Sequence, residues 1–305
     1  MIRWSALLLL VLAHPPTPVS VRGRVVRVVG SDTLPAAGAR VVLHAVTPDS
    51  QGPVDSVMAD GTGRFDLRSE VDSGAIVLVS ARWQGVEYFA PPVAVGEPVT
   101  LVVVDTASTQ VVTVAARHVI VGGPAADGAR DVVDLVVLRN PGPATRVGGG
   151  DKLTPTWTLR LPPHVANLTV GDADFSPEAF DVHGDTLTLH APIPPGERQF
   201  FLMYQLAPGA RQFEIPLLPR PDTLSLLTEE RGLAVTGGMT TVGQETVSGR
   251  SFERRVSGSA ELAAAVTVAL PGGHKAPDWV LPTLIVSLAL VLGGATIRIL
   301  LPRRG

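Results

Sequence analysis

The sequence predicts an all-β protein that ends in one membrane-crossing helix, and three observations predict it. Short stretches of alternating apolar and polar residues recur along the chain between turn residues, the period-2 signature of half-buried strands. The 27 prolines and 31 glycines are spread over 305 residues without a fixed period, which suits many strands joined by turns rather than collagen or a disordered tract. Near the C-terminus, Val280 to Ile297 holds no charged residue. At about 1.5 Å per residue that run makes roughly 27 Å of helix, and 279–301 makes about 34 Å, against a hydrocarbon core of roughly 30 Å.

Taken in order, Met1 to Ala13 reads as an export signal. Arg3 supplies the positive n-region, Ala6 to Leu12 the apolar core and Val11-Leu12-Ala13 a small-residue cleavage site, and a Pro-rich linker completes 1–18. An apolar core this short cannot cross a bilayer as a helix. Residues 19–109 form a first β-rich unit. Val21, Gly23 and Val25 alternate, the turn of Pro35 and Gly38 leads to Val41 and Leu43, and Asp60-Gly61-Thr62-Gly63 turns the chain into Phe65 and Leu67. Ala75 to Arg82 and Val99 to Val104 continue the series.

Residues 110–270 form a second β-rich region, one large sandwich or two small ones with a boundary near Pro208. Its strands are expected at Val112 to Ile120, Asp131 to Arg139, Trp157 to Leu161, Val165 to Val170, Thr186 to His190 and Gln199 to Leu206, with further candidates to Leu270. Residues 271–278 are a short linker that keeps the last unit close to the bilayer. In the span 279–301, Pro282 falls in the first turn and Trp279 at the lipid–water boundary. Ala289 and Gly293 are one small-xxx-small pair that would permit close helix approach. Arg298, Arg303 and Arg304 place the tail 302–305 in the cytoplasm and the bulk of the chain on the periplasmic or extracellular side.

The order Val21-x-Gly23-x-Val25, then Pro35-x-x-Gly38-Ala39-x-Val41-x-Leu43, then Asp60-Gly61-x-Gly63-Arg64-Phe65, resembles the carboxypeptidase regulatory-like domain, a transthyretin-like β-sandwich. Thr47 to Pro53 departs from that pattern as an insertion before a strand at Ser56 to Ala59. The resemblance implies a non-catalytic module that stabilises, spaces or binds. The zinc peptidase domain that accompanies it in carboxypeptidases has no counterpart in the sequence.

Composition narrows the chemistry further. The chain has no cysteine, which excludes disulfides, thiolate nucleophiles, cysteine metal sites and lipoprotein acylation. A net charge of −3 gives no bulk attraction for nucleic acid. Lys152 and Lys275 are the lysines, so arginine carries nearly all the positive charge, a usage typical of GC-rich bacterial coding.

No motif assembles a reactive centre. The seven histidines, His14, His44, His118, His164, His183, His190 and His274, show no metal-ligand spacing. His183, His190 and Asp181 converging on a metal is the one set worth naming, and strand-surface histidines are the simpler reading. Asp172, Asp174, Glu178 and Asp181 offer hard oxygens for Ca²⁺ without EF-hand spacing, and a solvated turn is the simpler reading. Asp60 beside Gly61 and Gly63 is read as accepting backbone N–H bonds.

There is no Gly-x-Ser-x-Gly elbow and no Ser-x-x-Lys, and Gly148 to Gly150 lack Walker spacing. Asn167-Leu168-Thr169 is a glycosylation sequon of little meaning in a bacterial chain. The aromatic cluster Trp83, Tyr88 and Phe89 would either stack on sugars or pack into its own core, the latter being the simpler case.

The function expected from these readings has no catalytic residue, cofactor or metal. It is structural or interaction work at the outer face of the cytoplasmic membrane, with an envelope protein or polysaccharide as partner and no nucleic acid. The alternatives are a membrane-tethered hydrolase with its site in 110–270, or an accessory subunit of a membrane complex.

Overall fold

The computed structural model describes residues 17–91, 97–149, 154–171 and 174–271. The expected signal segment 1–13, linker residues 272–278, span 279–301 and tail 302–305 lie outside the described residues. Among the described residues the chain is all-β, and no helix there is long and apolar enough to cross a membrane. The chain divides into two compact units, one of 1–106 with 143–145, the other of 107–142 with 146–305.

The first unit contains β1 (Thr17–Val29), β2 (Asp32–Pro35), β3 (Arg40–Val46), β4 (Gln51–Met58), β5 (Arg64–Val71), β6 (Ile76–Trp83), β7 (Val86–Phe89) and β8 (Val99–Val104). They form a sandwich of two four-stranded sheets. In one, the long β1 pairs antiparallel with β5 and β2 and parallel with β8; the other runs β4-β3-β6-β7. Alternation builds the core, because every second residue of each strand faces the opposing sheet. Val21 and Val25 of β1, Val41 and Leu43 of β3, and Phe65 and Leu67 of β5 are buried with Leu101 and Val103 of β8. β4 begins at Gln51, so the last residues of the stretch expected as an inserted loop, Gln51 to Pro53, are strand, paired through a bulge between Leu43 and His44.

Two short strands, β9 (Thr106–Ala107) and β12 (Thr145–Arg146), each divide between the units; the second unit is built from β10 (Thr113–Pro124), β11 (Arg130–Asn140), β13 (Trp157–Arg160), β14 (Val165–Val170), β15 (Phe180–His183), β16 (Thr186–Leu189) and β17 (Gly196–Leu206). Then follow β18 (Gln212–Pro216), β19 (Pro221–Thr228), β20 (Val235–Thr236), β21 (Thr240–Val247), β22 (Arg250–Gly258) and β23 (Ala265–Ala269). A seven-stranded sheet runs β14-β17-β11-β10-β19-β22-β21, and two three-stranded sheets run β13-β16-β15 and β18-β23-β20.

One apolar cluster takes residues from all three sheets, so the two small sheets share the work of covering one face of the large one. Phe200 of β17 sits at its centre, with Trp157 of β13 edge-on at 5.9 Å and Phe180 of β15 tilted at 4.9 Å between ring centroids. Pro208 lies in the turn between β17 and β18. On either side of it Tyr204 and Phe213 pack ring to ring at 6.3 Å, and β19 returns to pair parallel with β10.

Candidate functional site

The outer face of the β4-β3-β6-β7 sheet carries a cluster of polar side chains beside a groove. Arg40, Val42 and His44 share the outward side of β3 by alternation, next to Ser80 and Arg82 of β6 and Glu87 of β7. Together with Pro53 to Ser56 of β4, they line an open groove of about 530 Å³. Ser80 Oγ donates to Glu87 Oε1 at 2.6 Å and meets His44 Nε2 at 2.9 Å, while the same Nε2 lies 3.2 Å from Glu87 Oε1. Phe89, 57% exposed, tilts against the His44 ring at 5.3 Å.

A serine, a histidine and a carboxylate invite comparison with a nucleophilic triad, and the geometry argues against one. In a triad the acid holds one imidazole nitrogen so that the other can take the serine proton. Here hydroxyl and carboxylate both approach Nε2, so Glu87 cannot orient the ring from the far side. Ser80 is 0% exposed, which leaves its oxygen no path to a substrate carbonyl. The three side chains act as a polar clamp joining β3, β6 and β7.

The second unit has a larger open groove, about 790 Å³, beside β13, the edge strand of its small sheet. Val111 and Leu218 are strongly exposed there, Arg146 Nε donates to the Thr156 carbonyl, and Arg160 pairs with Asp185. In the core of this unit Arg117 (1% exposed) meets Asp134 (0%) through two nitrogens: Nε donates to Oδ1 at 2.9 Å and Nη2 to Oδ2 at 2.6 Å. Arg117 Nη1 donates to the Pro216 carbonyl at 2.7 Å, and Tyr204 OH donates to Asp134 Oδ2 at 3.3 Å. Burial works against the Arg117 charge, yet the adjacent Asp134 carboxylate holds its pKa above the ordinary arginine value. Burial, reinforced by the Asp134 charge, pushes the Tyr204 hydroxyl well above 10.0. The charged pair and the Tyr204 hydroxyl are all buried, so the network is a structural device rather than a reactive one.

The residues singled out in the sequence fall as follows. His190 Nε2 lies 3.3 Å from Asp181 Oδ2, but His183 has no contact with either, and no three His, Asp or Glu side chains among the described residues are arranged to hold a metal. Of the acidic set, Asp172 lies outside the described residues. Asp174 Oδ2 accepts the Gln199 N–H at 2.8 Å, and Glu178 accepts from the Ser176 hydroxyl. Asp60 Oδ1 accepts the backbone N–H groups of Arg64 and Thr62 and the Thr62 hydroxyl, each at 2.8 Å, and these bonds, the Arg64 N–H first, hold its pKa below 3.8. His118 is half-buried on β10, where burial, and then the Arg254 charge, lower its pKa from 6.5.

The aromatic cluster divides by the strand period. Tyr88 turns inward, donating to the Val104 carbonyl at 3.0 Å and meeting Thr145 Oγ1 at 2.8 Å. Trp83 packs on the same core, its Nε1 donating to Asp105 Oδ1 at 3.2 Å. Phe89, one residue beyond Tyr88, faces out. Sequence reasoning missed the His44, Ser80, Glu87 clamp; its signal was three polar residues at outward strand positions, with His44 brought to the other two by the non-local pairing of β3 with β6.

No family model matches the chain, and no characterised protein matches it in sequence. Among solved structures, a two-domain M1 zinc metallopeptidase bound to L-tryptophan shares 12% identity over 53% of this chain and 43% of its own, at a TM-score of 0.30. An M1 zinc metallopeptidase from Deinococcus radiodurans shares 14% over the same fractions at 0.29. Native leukotriene A4 hydrolase from Saccharomyces cerevisiae shares 9% over 52% of this chain and 29% of its own at 0.31. The chain thus spans less than half the length of each, and at these TM-scores no residue or activity carries over.

Proposed function

We propose that this chain is an exported, membrane-anchored protein that works without catalysis, presenting sheet surfaces to an envelope protein or polysaccharide at the outer face of the cytoplasmic membrane. The observation that carries the reading is the joining of two sheet-built units to the uncharged run Val280 to Ile297, with a leader-like Met1 to Ala13 at the other end. In this reading 279–301 is the single span and the first unit is a carboxypeptidase regulatory-like, transthyretin-like domain. The Asp60 to Phe65 turn and the pair of four-stranded sheets support that assignment. The burial of Ser80 and of the Arg117–Asp134 pair supports a role in which polar residues hold strands together rather than meet substrate.

The test uses the absence of native cysteine, which makes any introduced thiol unique. Val102→Cys changes an outward residue that is 50% exposed. In intact spheroplasts an impermeant maleimide should label it, and the protein should fractionate with membranes and resist alkaline extraction. Labelling only after lysis, with recovery in the cytosolic fraction, refutes the proposal.

A further inference from the structure

The groove on the β4-β3-β6-β7 sheet contains an arrangement that internal packing does not explain. Arg40 on β3 and Arg82 on β6 are direct register partners, so both side chains leave the same face of the sheet and line one groove. Like charges placed opposite each other weaken a strand pair. Arg40 is satisfied only by a neutral group, its Nε and Nη2 donating to Ser56 Oγ at 3.3 and 3.0 Å, and neither arginine is in an ion pair among the described residues.

Two carboxylates, Asp55 and Glu87, line the groove as well, and neither forms an ion pair with Arg40 or Arg82. Glu87, the register partner of Arg82 on β7, turns to Ser80 and His44, and Asp55 Oδ1 accepts the Ser56 N–H at 2.7 Å. His44 follows Arg40 by four residues on the same side of β3, its Nε2 held by Ser80 and Glu87, and the exposed Phe89 ring stands against it.

We propose that this groove binds a sugar phosphate, with the Arg40 and Arg82 guanidiniums clasping the phosphate and the Phe89 face supporting the sugar ring. A carboxylate has two oxygens and satisfies one guanidinium fork, whereas a terminal phosphate has three and serves two forks on adjacent strands. An aromatic face beside an anion site suits the apolar side of a pyranose. The groove's 530 Å³ fits one such unit rather than a folded partner. This inference goes beyond the membrane role and does not depend on it, because it concerns ligand binding by the first unit wherever the chain resides.

The test is calorimetric titration of the full chain in mild detergent with inorganic phosphate, glucose 1-phosphate and glucose. Glucose 1-phosphate should bind more tightly than phosphate, and glucose should not bind measurably. Arg40→Gln and Arg82→Gln should each weaken glucose 1-phosphate by about tenfold, the worth of a lost charge-assisted pair of hydrogen bonds. Phe89→Ala should weaken glucose 1-phosphate and leave phosphate unchanged. Thermal unfolding of each variant reports whether the unit is intact, and relief of the arginine pair should leave the midpoint equal or higher. Unaltered binding in both arginine variants, equal affinity for phosphate and glucose 1-phosphate, or no binding of either overturns the proposal.

Discussion

Among single residues, Asp134 supplies the fully buried carboxylate on which the second unit's internal charge balance rests. It neutralises Arg117, so truncating it strands a guanidinium inside the second unit's core. Asp134→Ala should therefore cost about 3–5 kcal/mol, read from the urea midpoint, whereas the apolar replacement Arg117→Met with Asp134→Leu should recover most of that loss. Unequal costs of the single and paired changes would show that the two charges act as one unit. The chain has two tyrosines, Tyr88 in one unit and Tyr204 in the other, and burial is the first cause raising both hydroxyls above 10.0. A raised folded pKa means that the unfolded chain releases its proton first. The stability tied to each tyrosine is thus complete below about pH 10 and is lost as pH climbs toward the folded value. Tyrosinate absorbance should rise together with unfolding rather than before it, and Tyr204→Phe should flatten the alkaline fall in stability of the second unit.

At the level of strands and turns, the Asp60 to Arg64 connection shows what a sequence discloses. Asp60 collects three hydrogen bonds at 2.8 Å, and Gly63 sits at a φ of +77°, where an added Cβ would run into the Val25 carbonyl oxygen. Gly63→Ala should destabilise the first unit by about 1–3 kcal/mol through backbone strain, measured as a lowered thermal midpoint. That turn was readable because its chemistry is local: four consecutive residues contain both the acceptor and the left-handed position. The apolar strands were readable for the same reason, since alternation is written along the chain. The short β7 and β15 were not expected, because Val86–Phe89 and Phe180–His183 offer too few alternations to stand out from turns. The groove was illegible for a different reason. Arg40 and Arg82 become neighbours only through the β3–β6 register, 42 residues apart in sequence, and nothing in either strand alone states that register.

For the whole molecule, the apolar clusters of the two units share no residue: one gathers around Leu43, Phe65 and Leu67, and the other unit has a large cluster around Phe200 and Leu202 and a smaller one around Ile120 and Phe252. Their strand plans differ as well. In the first unit β3 and β4 form a hairpin while β3–β6 and β1–β8 join strands distant in sequence, Arg40 with Arg82 and Gly23 with Val99; the second unit reaches further, through a union between β10 and β19 whose partners Val114 and Pro221 lie about a hundred residues apart. Closing so long a loop before any contact rewards it makes such a strand pair slow to form. A nascent chain that has released β10, β11 and β17 still lacks the neighbour that seals the far side of β10, and its exposed ladder is open to pairing with other chains. Synthesis halted before residue 221 would therefore yield a sticky intermediate, and a cell making this protein must shelter that half-finished sheet until its last third arrives.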